Sequence, residues 1–202
     1  MAGTVPREQL TIRVVDYVPV PSATLSEALL LSGAILKEAG IEPTWLTCRI
    51  CEEGSCGSTV QPAEVRVNVL SQSHDRQTAA SGALGCVLRN KQAAFGLYVF
   101  YRRIEEVVQS GAFGTSTLLG MVVTHELGHY FGLDDGHWGI MLSSFYQRET
   151  MMQAASGMLT FDKRQAAHLH NAIANMKSIP PPGGQVLTGF APTQLPPESR
   201  VH

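Results

Sequence analysis

The sequence contains no uninterrupted apolar run approaching the ~18 residues that a membrane-spanning helix needs, so no membrane span is expected. It also lacks an excess of positive charge: 15 Lys and Arg stand against 17 Asp and Glu, for a formal net charge of −2. A general nucleic-acid binder needs a basic surface to neutralise phosphates, and that class is excluded. Charged residues are few, at 16%, yet 44% of the chain is apolar, so most of it can build a packed core. There is no internal repeat. The N-terminus shows no basic region followed by an apolar one, so no export signal is expected in this sequence. The protein is then cytoplasmic, or it is secreted or periplasmic with its signal removed. A length of 202 residues suits one domain that can be held by its own core, and a monomer is expected.

Cysteine is scarce too. Cys48, Cys51, Cys56 and Cys86 are the four present, three of them clustered within nine residues. In an exported chain they most simply form two disulfides, with three possible connectivities. In a reducing compartment they can remain thiols, or Cys48 and Cys51 can supply half of a structural zinc site. Disulfides, and with them export, are the favoured reading.

Local patterns predict the elements. Thr11 to Val18 is β-branched and aromatic and reads as a strand, ended by Pro19 and Pro21. Thr24 and Glu27 form a possible capping box, and Leu25, Ala28, Leu29, Ile35 and Leu36 then recur at helical spacing up to Gly40, a C-terminal cap. Thr44 to Leu46 reads as a short strand, Glu64 to Leu70 as a half-buried strand, Ala83 to Leu88 as an edge strand, and Leu97 to Tyr101 as a buried one. Helical patterns follow over Arg103–Gln109, from Ser116 to about Phe131, and from Phe161 to about Met176. The expected fold is α+β, a small mixed sheet with an N-terminal helix, a helix carrying the chemistry and a C-terminal helix. A domain over residues 1–177 is followed by a Pro- and Gly-rich tail, residues 178–202, that cannot pack a core.

The chemistry sits in Thr124-His125-Glu126-Leu127-Gly128-His129, an H-E-x-x-H pattern. On a helix, residues four apart project from one face, so His125 and His129 can share a metal, and Glu126 can act as general base. The preceding residues, Leu118 to Val123, are nearly all apolar, so two histidines and a glutamate there would be costly to bury without a partner. A catalytic zinc needs a third protein ligand, and the segment downstream offers Asp135 and His137.

With Gly132, Asp135 and Gly139-Ile140-Met141, the segment resembles the metzincin metallopeptidases, whose motif H-E-x-x-H-x-x-G-x-x-H/D precedes a methionine turn. The resemblance implies a zincin fold, one catalytic Zn2+, and a Met141 that floors the metal without binding it. Asp135 stands at that family's third-ligand position. More narrowly, the chain resembles small bacterial metzincin-like proteins, through Asp16-Tyr17, Trp45-Leu46-Thr47-Cys48 and Val99-Phe100-Tyr101-Arg102-Arg103-Ile104-Glu105-Glu106. In that group the third histidine stands where His137 does, and this favours His125, His129 and His137 as metal ligands. Asp134 and Asp135 then orient the ligands from outside.

The function so implied is a zinc-dependent endopeptidase acting on a peptide or protein substrate, with Glu126 activating water. Ala83 to Leu88 is the expected docking edge for an extended peptide. The alternative is a zinc-stabilised binding module with little hydrolysis. A self-inhibited form, with Cys48, Cys51 or Cys56 on the open metal position, has little support. Tyr146 is an ordinary wall residue or an oxyanion donor; Met151, Met152, Met158 and Leu159 line the site or pack the core. His168 and His170 read as surface residues, and Glu105 and Glu106 as solvated or paired with arginine.

Overall fold

The computed structural model describes residues 7–49, 56, 64–72, 82–89, 94–109, 114–143 and 159–178. Five strands are present among them: β1 (Glu8–Asp16), β2 (Ile41–Arg49), β3 (Glu64–Leu70), β4 (Gly85–Arg89) and β5 (Ala94–Phe100). The helices are α1 (Ser22–Glu38), α2 (Tyr101–Gln109), α3 (Thr115–Tyr130) and α4 (Lys163–Ser178), with a single 3-10 turn over Gly139–Met141. The fold is α+β with a mixed sheet in the order β2-β1-β3-β5-β4. Four strands run parallel, and β4 alone is antiparallel, at the edge beside β5. The expected tail and the stretch holding Tyr146, Met151, Met152 and Met158 lie outside the described residues.

The sheet forms because β-branched residues fill its central strands. Ile12 and Val14 on β1, Val65, Val67 and Val69 on β3, and Leu97 and Val99 on β5 are all fully buried. β2 is longer than its short apolar centre predicts, because β1 pairs with it residue for residue from Glu8–Ile41 to Asp16–Arg49. Its Pro43 is tolerated at a sheet edge, where a missing N–H leaves no ladder bond unmade.

The helix boundaries show where local signals were overruled. α1 begins at Ser22, two residues before the expected capping box, and no side-chain cap bond forms. Pro21, with φ −52° and ψ 131°, sets the chain direction, and its carbonyl accepts the Leu25 N–H. Thr24 therefore falls inside the first turn. The other end is as expected: Gly40 follows the cap with φ +79°, a conformation that strains any L side chain.

α1 and α3 pack on each other above the sheet, α1 also against β2 and α3 against β4 and β5. The crossing is close. A Cβ built on Gly120 would lie 2.5 Å from the carbonyl oxygen of Ala28. Beside it, the Thr124 hydroxyl bonds the Ser32 hydroxyl at 2.8 Å and the Gly120 carbonyl at 2.8 Å, satisfying two buried side chains between the helices.

A disulfide joins Cys48, at the end of β2, to Cys56. One of the two expected bridges is therefore present; Cys51 lies outside the described residues, and Cys86 is half-buried on β4. Among the described residues, no helix is long and apolar enough to cross a membrane.

The α1–α3 crossing yields a test with an unusual sign. Gly→Ala in a helix interior ordinarily stabilises by about 0.5–1 kcal/mol. Gly120→Ala must push two helix backbones apart, so it should instead destabilise by roughly 1–3 kcal/mol in a denaturant titration. A gain in stability would contradict the close crossing.

Candidate metal centre

From Leu118 to Gly128 every residue of α3 is buried, so the polar groups on this stretch need partners inside the protein. His125 and His129, one turn apart, present their Nε2 atoms 2.9 Å from each other. The Nδ1 of His125 lies 2.9 Å from the carbonyl oxygen of Ile140, and the Nδ1 of His129 lies 2.8 Å from that of Leu133. A carbonyl oxygen only accepts, so each Nδ1 donates, and in the neutral rings each Nε2 then carries a lone pair rather than a proton. Two such lone pairs at 2.9 Å repel unless they share a cation. This is the second-sphere arrangement that fixes the tautomer of a metal-binding histidine.

The chain leaves α3 through a Schellman turn. The N–H of Leu133 bonds the Gly128 carbonyl at 3.0 Å, and that of Gly132 bonds the His129 carbonyl at 2.9 Å. Gly132 has φ +95°, which favours glycine. The turn carries the chain back towards the histidines, and one Asp135 carboxylate oxygen lies 3.4 Å from Nε2 of His129 and 3.6 Å from Nε2 of His125. Among the described residues, His125, His129 and Asp135 form the group that can hold a metal ion.

The expectation that favoured His137 as third ligand differs from this arrangement. His137 is exposed and does not join the group. By residue 136 the chain has already committed to another contact: the Gly136 N–H bonds the Met141 carbonyl at 2.6 Å, and Gly136 bridges to Leu142. Asp135 is thus the last side chain on the returning limb before that closure.

Met141 is fully buried beneath the helix. A Cβ on Gly128 would come within 2.3 Å of its Sδ, so the glycine inside the H-E-x-x-H stretch makes room for the methionine. Gly139, with φ +65°, bends the backbone into the 3-10 turn, where the Ile140 N–H bonds the Thr160 carbonyl at 3.1 Å. The same turn aims the Ile140 carbonyl at His125.

Glu126 lies between α3 and the edge strand. A Cβ on Gly85 would fall 2.7 Å from its Cγ and its Oε1, so only glycine lets β4 approach this closely. The Glu126 carboxyl is buried, and its Oε2 has no hydrogen-bond partner among the described residues. Burial, with the Asp135 charge adding to it, pushes its pKa up to about 8. The His125 imidazole is held below its ordinary value, chiefly by burial and further by His129, against the Ile140 bond and Asp135. A neutral imidazole is the form that binds metal.

These groups open into a cleft of about 800 Å³, walled by residues 82–87 and Arg89 on one side and by α3 and residues 132–135 on the other. Gly85 and Arg89 carried no motif that marked them in the sequence. A glycine inside a strand pattern was the available signal for the first, as such residues mark close backbone approach. Glu106 pairs with Arg103 at 3.0 Å on α2, as expected of a solvated pair, and is not among the cleft-lining residues.

The Glu126 shift has a measurable consequence in metal-free protein. Between an ordinary carboxylate value of 4.5 and about 8, folded Glu126 keeps a proton that the unfolded chain releases. Its stabilising contribution is therefore full below about pH 4.5, declines as pH rises, and is gone above about 8. Glu126→Gln has no such titration. The melting temperature of this variant minus that of the parent, in chelator, should grow from pH 4.5 to 8; a constant difference would contradict the buried, protonated carboxyl.

No protein-family model matches the chain, and no curated protein matches it.

Proposed function

We propose that this protein is a zinc-dependent peptidase whose metal is held by His125, His129 and Asp135, with Glu126 as general base. The observation that carries this reading is the convergence of the two Nε2 atoms, 2.9 Å apart, with the Asp135 carboxylate beside them. When bound, zinc supplies Lewis acidity that acidifies water and polarises a peptide carbonyl. The two imidazoles and one carboxylate leave a coordination position for such chemistry, as catalytic zinc sites do.

Two histidines and a carboxylate also suit iron(II). Glu126 favours hydrolysis. It lines the cleft, its Oε2 has no hydrogen-bond partner among the described residues, and the positive charge of a bound metal would favour its ionised form, which can take a proton from water and return it to a leaving amine. The substrate is a peptide laid along β4. Among the described residues that strand stands at the edge of the sheet and lines the cleft, the placement that strand addition of an extended peptide uses. The Cys48–Cys56 disulfide suits an oxidising compartment, and secretion or a periplasmic location is the corresponding proposal.

Glu126→Gln separates enzyme from binding module. The variant should keep about one zinc per chain while cleavage of a peptide library falls by roughly 10²–10⁴-fold. Zinc retained with no cleavage by the parent protein would favour the binding module instead.

The third ligand is decided by a second pair of variants. Asp135→Asn should weaken zinc binding by at least about tenfold in a chelator competition, the size typical of losing a group close to the metal. His137→Gln should bind zinc as the parent does. The reverse order of the two would restore His137 as the ligand.

A further inference from the structure

The rigid turn of α3 sets the distance between His125 and His129, but Asp135 lies on an irregular, exposed limb. Its position therefore depends on what anchors the end of the helix. The last carbonyls of α3 are gripped from outside the helix. Nη1 of Arg89, from the edge strand β4, donates to the His129 carbonyl and reaches the Tyr130 carbonyl at 3.5 Å. His168, from α4, has its Nε2 2.9 Å from the carbonyl oxygen of Phe131. A Cβ on Gly132 would sit 3.4 Å from His168 Nε2 and 3.6 Å from Arg89 Nη2, so both side chains flank the turning residue itself.

We propose that Arg89 and His168 are positioning residues for the metal centre, holding the end of α3 and the Gly132 turn so that Asp135 reaches the two imidazoles. This rests on the metal-site reading above. Both groups are suited to the place: a helix C-terminus carries partial negative charge and unpaired carbonyls, which a guanidinium or imidazole N–H satisfies. The His129 carbonyl accepts from both the Gly132 N–H and Arg89, so the ligand residue, the turn and the edge strand meet on one oxygen. Tying β4 to α3 at this point also keeps the two walls of the cleft in register.

The fold supplies its own control. His170, two residues along α4, has Nε2 2.8 Å from the carbonyl oxygen of Ala39, the C-cap of α1, and a Cβ on Gly40 would lie 2.8 Å from that nitrogen. It makes the same kind of cap on the other helix, where none of the three candidate ligands stands.

The test is zinc affinity by chelator competition, with cobalt(II) absorption as a reporter of donor geometry, on the parent and on Arg89→Ala, Arg89→Lys, His168→Ala and His170→Ala. Amide exchange at Gly132 and Leu133 is followed in the metal-free proteins. Expected are roughly 10-fold to 100-fold weaker zinc binding in Arg89→Ala, the range for groups that orient ligands without touching metal, and partial recovery in Arg89→Lys. His168→Ala should shift the same way, with an altered cobalt spectrum and faster exchange at Gly132 and Leu133. His170→Ala should lower stability and leave zinc affinity, spectrum and exchange at those two amides unchanged. Parent-like zinc affinity in Arg89→Ala and His168→Ala overturns the inference while leaving the metal site standing. An equal loss in His170→Ala also overturns it, since the effect is then general destabilisation. A parent protein that binds no zinc overturns both readings.

Discussion

From Leu118 to Gly128, α3 has no solvent face, and every polar group in that stretch must be satisfied within the protein. Thr124 is answered by Ser32 and by the Gly120 carbonyl. The Nδ1 atom of His125 is answered by the Ile140 carbonyl. The remaining polar atoms are the Nε2 of His125, 2.9 Å from that of His129, and the Oε2 of Glu126, which has no hydrogen-bond partner among the described residues. These are the atoms on which the proposed metal chemistry rests. The burial that makes the helix stable thus also brings these groups together where a cation could be held.

Close approach to this helix is managed by glycine on three fronts. Gly120 admits the backbone of α1, Gly128 admits the Met141 side chain, and Gly85 lets the edge strand lie against Glu126. Each neighbour then has a defined task. α1 locks the helix above the sheet, the Met141 turn supports the histidine-bearing surface and orients His125 through Ile140, and β4 forms the opposite wall of the cleft. Among the described residues, the antiparallel course of β4 beside β5 places it at the edge of the sheet, along that wall.

Much of this was legible because it is local. The H-E-x-x-H spacing puts two imidazoles on one helical face whatever surrounds them. Alternation over Glu64–Leu70 marked β3, and Gly40 marked the end of α1. Signals failed where a neighbour competed with them. The Thr24 and Glu27 capping pattern lost to Pro21, which determined the chain direction first. The extent of β2 followed from its partner β1, not from its own short apolar centre. His168 and His170 looked like solvated residues because the carbonyls they reach belong to helices 37 and 131 residues away in the chain.

The sequence by itself determined the α+β order of elements, the chemistry-bearing helix, and the pairing of His125, His129 and Glu126, since all of these follow from periodicities within a few turns of chain. Only the tertiary structure decided which downstream side chain joins them. Asp135 and His137 lie two residues apart in an irregular segment where spacing implies no direction. The Schellman turn at Gly132, the Gly136–Met141 closure and the contacts of Arg89 and His168 bring Asp135 to the imidazoles and leave His137 in solvent. Likewise the pairing of Cys48 with Cys56 was one of several open to the sequence, chosen where β2 ends. Such choices depend on contacts between residues distant in the chain, which no local pattern encodes.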